Sequence, residues 1–182
     1  VGSTMLQICR AQGVKTIAVA SSQSKLDYCR EELGASHTIN YKETPDFAGL
    51  IKEYTNGKGV NVIQDPVLGG PNFKQNLESL AMDSRWVIYG SMGGLKPEEN
   101  ASLVKPLLKR SSILFSTLKS RSNDYKAKLI ADMYGFCQPK FASGELRPII
   151  DRSYALSQVG EAHSYIESNQ NIGKVVLTND LH

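Results

Sequence analysis

The sequence predicts an α/β protein built on a parallel, doubly wound sheet, and three observations lead there. Short apolar runs rich in β-branched residues alternate with stretches of helical period. The loops between them are a few residues long, so that right-handed crossovers place helices on both faces of one sheet. The run Lys15-Thr16-Ile17-Ala18-Val19-Ala20 is apolar after its first two residues, as expected of a strand buried from both sides.

The elements follow in order. Val1-Gly2 leads into a helix from Ser3 to Gly13, with Met5, Ile8 and Cys9 on one face and Gly13 as its stop. The Lys15–Ala20 strand follows, then a helix from Lys25 to Leu33 closed by Gly34, and a short strand over His37–Asn40. Asp46 is placed to cap a helix that buries Phe47, Leu50, Ile51 and Tyr54, with Gly57 beyond its end. Val60–Gln64 reads as a strand running into Asp65-Pro66 and the turn Gly69-Gly70. A helix over Phe73–Met82, a strand over Arg85–Tyr89, a short helix over Leu103–Lys109 and a strand over Ile113–Leu118 complete the alternation. These make five strands where the doubly wound order 3-2-1-4-5-6 has six, and the missing one is the first, at the sheet's centre. A long helical segment from Asn123 carries Tyr125, Leu129, Ile130, Met133 and Phe136. Beyond Pro148 the pattern changes: Ile149–Leu156, a helix over Ser157–Glu167 and Gly173–Leu177 form a tail outside the repeat, which sets domain limits at 1–147 and 148–182.

With 182 residues, 41% hydrophobic and 21% charged, the chain has the composition of a globular domain with a real core, and no segment approaches a membrane span. Its net charge of +3 gives no argument for nucleic acid. Lys105, Lys109, Arg110, Lys119, Arg121, Lys126 and Lys128 stand against Asp124 alone, and we read them as a solvated face. Cys9, Cys29 and Cys137 are odd in number and widely spaced, which fits reduced, cytoplasmic surroundings better than a disulfide framework or a thiolate metal site. His37, His163 and His182 are too far apart for a local metal motif.

The chemistry lies at the strand ends. After Ala20 the chain reads Ser21-Ser22-Gln23-Ser24-Lys25, where an NAD-preferring domain usually carries Asp or Glu for the adenosine ribose 2′-hydroxyl. Hydroxyls and an ammonium on the first turn of a helix suit a 2′-phosphate instead, so Ser22 and Lys25 point to NADP(H). Tyr41, ending the adjacent strand, is placed to stack on adenine or donate to phosphate. A helix opening on Val1-Gly2 has the form of the end of a glycine-rich phosphate loop, with Gly2 letting backbone approach a pyrophosphate. Tyr89-Gly90-Ser91-Met92-Gly93-Gly94 allows backbone to face a flat ligand. It is no hydrolase elbow, since Tyr89 stands where glycine is needed. Asp65 reads as a turn or capping residue rather than a catalytic one.

Together these residues resemble the cofactor-binding part of the medium-chain dehydrogenase/reductase superfamily, in its zinc-free quinone oxidoreductase branch. The carriers are Val1-Gly2, Ser22 to Leu26, Leu33-Gly34-Ala35, Asn40-Tyr41, Gly59-Val60-Asn61, Arg85 to Gly90, Met92-Gly93-Gly94, Ser120-Arg121, Glu161-Ala162-His163 and Asn171 to Lys174. The resemblance implies a Rossmann-type fold in which Ser22, Lys25 and Tyr41 hold the 2′-phosphate end of NADPH. Backbone at Gly90, Ser91 and Met92 and from Ser116 to Leu118 would flank the nicotinamide, with Ser120 and Arg121 close by. It implies hydride transfer from NADPH to a quinone or similar conjugated carbonyl, with no catalytic acid/base pair and no metal in this part. In the family the glycine loop is longer, and a second, barrel-like domain forms the other wall of the cleft. The expectation is thus a cofactor-binding piece, inactive and only a weak binder of the cofactor by itself, whose tail from Pro148 returns to that second domain.

The reading from another class is a non-catalytic NADPH-binding or interaction module, such as an NADPH sensor or an RNA-contacting domain. Retention of both the Ser22/Lys25/Tyr41 set and the Gly90–Gly94 loop favours the enzyme. The run Ile113–Leu118 is apolar without proline or charge and falls at the sheet edge, where the resemblance implies pairing with a second copy. Ser116 is expected to offer a free backbone donor on that edge.

Overall fold

The computed structural model describes residues 1–96 and 101–179. The order is α1 (Gly2–Ala11), β1 (Ile17–Ala20), α2 (Gln23–Glu31), β2 (His37–Asn40), α3 (Phe47–Tyr54), β3 (Val60–Asp65), α4 (Asn72–Ser79), β4 (Leu80–Ile88), α5 (Val104–Leu108), β5 (Ser112–Phe115), α6 (Asn123–Ala142), β6 (Ile150–Ala155), α7 (Val159–Glu167) and β7 (Lys174–Thr178). Strand β1 pairs with β2; β3, β4 and β5 form a three-stranded sheet in that order; β6 pairs with β7. Pairing is parallel throughout β3-β4-β5 and β6-β7. The α/β class with parallel sheets is therefore as the sequence predicts.

Two compact units can be described separately. One comprises Val1–Ala18, Gln23–Thr38 and the chain from Asp132 on; the other comprises Val19–Ser22 and Ile39–Ala131. In the first, Leu26, Leu33, Ala35, Leu146 and Ile149 are buried. Gln7, only 2% exposed, pins the chain ahead of Pro148: its Nε2 donates to the Arg147 carbonyl at 3.1 Å and its Oε1 accepts from the Arg147 amide at 2.9 Å. A side-chain amide here completes one peptide unit as a neighbouring strand would. In the tail, Tyr165 donates to Asp151 at 2.8 Å and lies beneath the Arg152 guanidinium, 4.1 Å from its ring centroid.

The second unit is centred on Leu68, Leu77, Leu80, Trp86 and Ile88, with Ile63, Phe73, Ala101 and Ile113 packed against them. Phe73 meets Trp86 with ring centroids 4.9 Å apart, within the range favoured by tilted aromatic pairs. Gly59, at φ +84°, brings the start of β3 so close to β4 that a Cβ would lie 2.5 Å from the Ser79 carbonyl oxygen.

Several expectations need correction. The helix read over Phe73–Met82 stops at Ser79, and Leu80, Ala81 and Met82 already belong to β4. The register of β4 with β3 shifts after Val60↔Leu80 to Val62↔Arg85, and Asp83 takes φ +56°, so β4 enters the sheet through an irregular turn. Asp46 precedes α3 but makes no capping bond; the Gln75 side chain accepts from the Ala48 amide instead, at 2.9 Å. Leu50 and Tyr54 are half-buried, whereas Phe47, Ala48 and Ile51 are buried. The strands are not buried on both faces: Val19 is 41% and Val62 49% exposed, β1 and β3 having one ladder neighbour each among the described residues. Tyr125, Leu129, Ile130 and Met133 of α6 are exposed as well. Strand β5 ends at Phe115, short of Leu118, and the Ser116 amide is no free edge donor, since it bonds the Ile88 carbonyl at 2.9 Å.

The buried core sets an expected stability difference. Leu80→Ala removes a side chain with 0% exposure and should cost about 2–5 kcal/mol. Leu108→Ala, at a 70% exposed position, should change stability by no more than about 0.5 kcal/mol. Urea unfolding of both variants checks this.

Candidate functional site

In a parallel sheet, ligands bind outside the carboxyl ends of the strands. At the ends of β3 and β4 two loops, Pro66–Gly70 and Gly90–Gly94, are locked together by backbone. The Tyr89 amide donates to the Asp65 carbonyl at 3.0 Å, Met92 to Pro66 at 3.1 Å and Gly93 to Val67 at 2.9 Å. Glycine is required at these crossings. A Cβ on Gly90 would stand 2.6 Å from the Pro66 carbonyl oxygen, on Gly69 2.6 Å from that of Gly93, and on Gly93 2.7 Å from Val67 Cγ1.

Asp65 anchors the arrangement. It is 3% exposed. Its Oδ1 accepts from the Val67 and Leu68 amides at 2.7 and 3.0 Å, and its Oδ2 from Asn76 Nδ2 at 3.1 Å and Trp86 Nε1 at 3.0 Å. This is the turn role read from the sequence. Burial, and secondarily the Asp65 carboxylate, raises the Tyr89 phenol above its usual range.

Beside these loops lies a groove of about 260 Å³ lined by Tyr41, Pro45, Val67, Gly69, Gly70, Pro71, Asn72 and Gly93. Tyr41, expected at an adenine end, thus lines the same depression as Gly93 of the loop expected to face a flat ligand. Its backbone amide is held by the Ala20 carbonyl at 3.1 Å. The sequence reading did not single out Pro45, Val67, Pro71 or Asn72. The signal was the strand-end rule itself, applied after β1, β2 and β4 but not after β3, where Asp65-Pro66 and Gly69-Gly70 mark the same kind of turn.

The other expected residues are placed as follows. Gly2 begins α1, exposed, with open space where a Cβ would be. Ser22 immediately precedes α2, and Lys25 lies in the first turn of α2 with its Nζ donating to the Asn169 carbonyl. Gly90 is half-buried; Ser91 and Met92 are exposed, Met92 at 79%. Ser116 and Leu118 follow β5 and are exposed. Arg121 lies with its guanidinium 4.7 Å from the Tyr125 ring centroid, a cation–π contact. The basic run disperses: Lys105 pairs with Glu78, Arg110 bonds both carboxylate oxygens of Asp83 at 2.8 and 2.7 Å, and Lys109 donates to the Leu80 carbonyl. His182 lies outside the described residues.

A larger depression, about 360 Å³, is lined by Lys74, Leu77, Glu78, Ser102, Val104 and Lys105. Its acid is already satisfied, since the Lys105 hydrogen bond, against burial, holds Glu78 below the ordinary carboxylate range. It also lies on α4 and α5 rather than at the strand ends, so the smaller groove is the better candidate.

Residues 1–133 match the model of the family described as zinc-binding dehydrogenase. The chain belongs to that family. It is similar to the human quinone oxidoreductase, 29% identical over 97% of this chain and 51% of that protein. A 2-haloacrylate reductase of Burkholderia sp. is 30% identical, again over 97% of this chain and 51% of the relative. Among solved structures, the quinone oxidoreductase of Pseudomonas syringae pv. tomato DC3000 superposes with a TM-score of 0.74 at 29% identity, covering 97% of this chain and 53% of that one. The chain thus spans about half the length of these relatives, and its fold is the NAD(P)-binding part of such dehydrogenases. The family's description names zinc. Among the described residues no three His, Cys, Asp or Glu side chains gather as a metal site needs, so these residues do not provide a zinc donor set and no step is derived through the metal.

The loop crossings separate two kinds of glycine. Gly90→Ala drives a Cβ into the Pro66 backbone and should destabilise the protein by about 1–3 kcal/mol. Gly2→Ala meets nothing within 4 Å and should leave stability within about 0.5 kcal/mol of wild type. Thermal unfolding of both variants tests the distinction.

Proposed function

We propose that this chain is the cofactor-binding part of an NADPH-dependent oxidoreductase that reduces quinones or similar conjugated carbonyl compounds. The observation that carries the NADPH preference is the β1–α2 turn, where Ser22 and Lys25 occupy the place of the ribose-binding carboxylate. A 2′-phosphate with nearly two negative charges favours an ammonium and the positive end of a helix dipole. The Lys25 ammonium, resting on a neutral backbone carbonyl, gives up little by turning to a dianion.

NADPH when bound supplies a hydride, and the protein's own residues place it. Tyr41 and the groove beside it receive the adenosine end. A volume of about 260 Å³ falls just below the roughly 300–1,000 Å³ of pockets that take a whole ligand, and so suits one end of a dinucleotide. Gly90, Ser91 and Met92 at the end of β4, with Ser116 and Leu118 after β5, form the backbone wall for the nicotinamide. Gly2 opens α1 for the pyrophosphate, and Arg121 lies toward the acceptor. Turnover requires a second wall to exclude water and align the acceptor. The tail beyond Pro148 leads to that domain in this reading, so the chain by itself is expected to be inactive. The setting we propose is cytoplasmic; among the described residues no helix is long and apolar enough to cross a membrane.

Two copies are proposed to pair along β5. Leu114 and Phe115 are 45% and 71% exposed on this edge, and β5 pairs only with β4 among the described residues. Because the Ser116 amide points to β4, alternation of the pleat turns the Phe115 amide to the open side. Phe115→Pro should therefore yield monomers with the fold kept, read by light scattering, and a wild-type monomer contradicts the pairing.

For the cofactor, fluorescence titration should show NADPH bound about tenfold or more tightly than NADH. Lys25→Glu should erase or reverse that order. Equal wild-type affinities, or a preference untouched by the substitution, contradict the proposal.

A further inference from the structure

We propose that Asp65 is the positioning residue of the candidate cofactor site: its buried carboxylate fixes the Pro66–Gly70 loop, and through it the Gly90–Gly94 loop, in the form that presents backbone to the nicotinamide. The inference rests on the cofactor reading above and assigns Asp65 no contact with the ligand.

Three observations converge on it. The carboxylate is buried, yet its four partners are the neutral donors Val67 N, Leu68 N, Asn76 Nδ2 and Trp86 Nε1. Taking a carboxylate out of water is costly, and a plain sheet-to-helix connection does not call for one. Second, Leu68 is held at φ +62°, a region that bulky residues avoid and that persists only where the surroundings impose it. Its amide is one of the two that Oδ1 accepts. Third, the loop so fixed is the one whose carbonyls, at Pro66 and Val67, receive the Met92 and Gly93 amides. The chain of restraint thus runs from Asp65 through Val67 and Leu68 to the two residues that shape the end of β4.

Asp65→Asn keeps the shape but not the acceptors. Whichever way the amide is turned, its NH2 faces donors: the Val67 and Leu68 amides on one side, or the Trp86 indole on the other. In hydrogen exchange on the full chain, the Met92 and Gly93 amides should exchange about tenfold faster in the variant, while those of Trp86 and Val87 within β4 keep their protection. NADPH affinity should fall about tenfold. Unchanged exchange at Met92 and Gly93 overturns the proposal, as does faster exchange with unaltered NADPH affinity. A wild-type chain that binds no NADPH overturns the cofactor reading itself, and is told apart because the exchange measurement reports on the loop without ligand. Should Asp65→Asn fail to fold, Asp65→Glu retains the charge but carries the carboxylate one methylene away from the Val67 and Leu68 amides, and the same two measurements and criteria apply.

Discussion

Backbone-to-backbone approach between the loops that follow β3 and β4 is the constraint on which the candidate site depends. Gly69, Gly90 and Gly93 stand where any side chain would meet main-chain or Val67 atoms at 2.6–2.7 Å. Contacts this close leave the loops little freedom to move independently, and in the proposed reading they put peptide surface where a flat ring can lie on it. The neighbouring structure serves that arrangement. Trp86 fills the core beneath with its ring against Phe73 and extends its indole N–H to Asp65, so hydrophobic packing and loop geometry share one residue. Loss of a core contact at Trp86 is then also loss of an acceptor's partner at the site.

In the proposed reading, the same constraint does the protein's share of the work without an acid/base pair in this chain. In that reading the hard chemistry belongs to the cofactor, and what the protein contributes is placement and dryness. The groove beside Tyr41 is open and modest in volume, and Met92, Ser116 and Leu118 are exposed. In the proposed reading such a surface forms one wall of the cofactor cleft; the chain spans about half the length of these relatives. The exposed apolar side chains of α6, Leu129, Ile130 and Met133 among them, are also unlike the face of a helix packed on its own core.

Much of this was legible in the sequence because parallel α/β units announce themselves by alternation. His37–Asn40 is found as read, and Asp65 proved to be the turn residue its place before Pro66 suggests. The misreadings have physical causes. Leu80-Ala81-Met82 continue the apolar pattern of α4, and only the left-handed turn at Asp83 and the pairing of Leu80 with Val60 make them strand. Asp46 has the residue type of a cap, but the α3 amide at Ala48 is satisfied by Gln75, 27 residues away, a contact that local pattern cannot show. The direction of the Ser116 amide depends on the register of β5 against β4, which a strand's own composition leaves open. The groove was missed for a related reason: Pro45, Pro71 and Asn72 carry no chemistry singly and become a surface only when three separate loops meet.

The most direct test of the account is a map of backbone amide chemical shifts of the 182-residue chain during titration with NADPH. The account predicts that the shifts concentrate at Tyr41, Gly69, Gly70, Gly90, Met92 and Gly93, and at the β1–α2 turn around Ser22 and Lys25. Shifts gathered instead around Lys74, Glu78 and Ser102, or none at saturating NADPH, would contradict it.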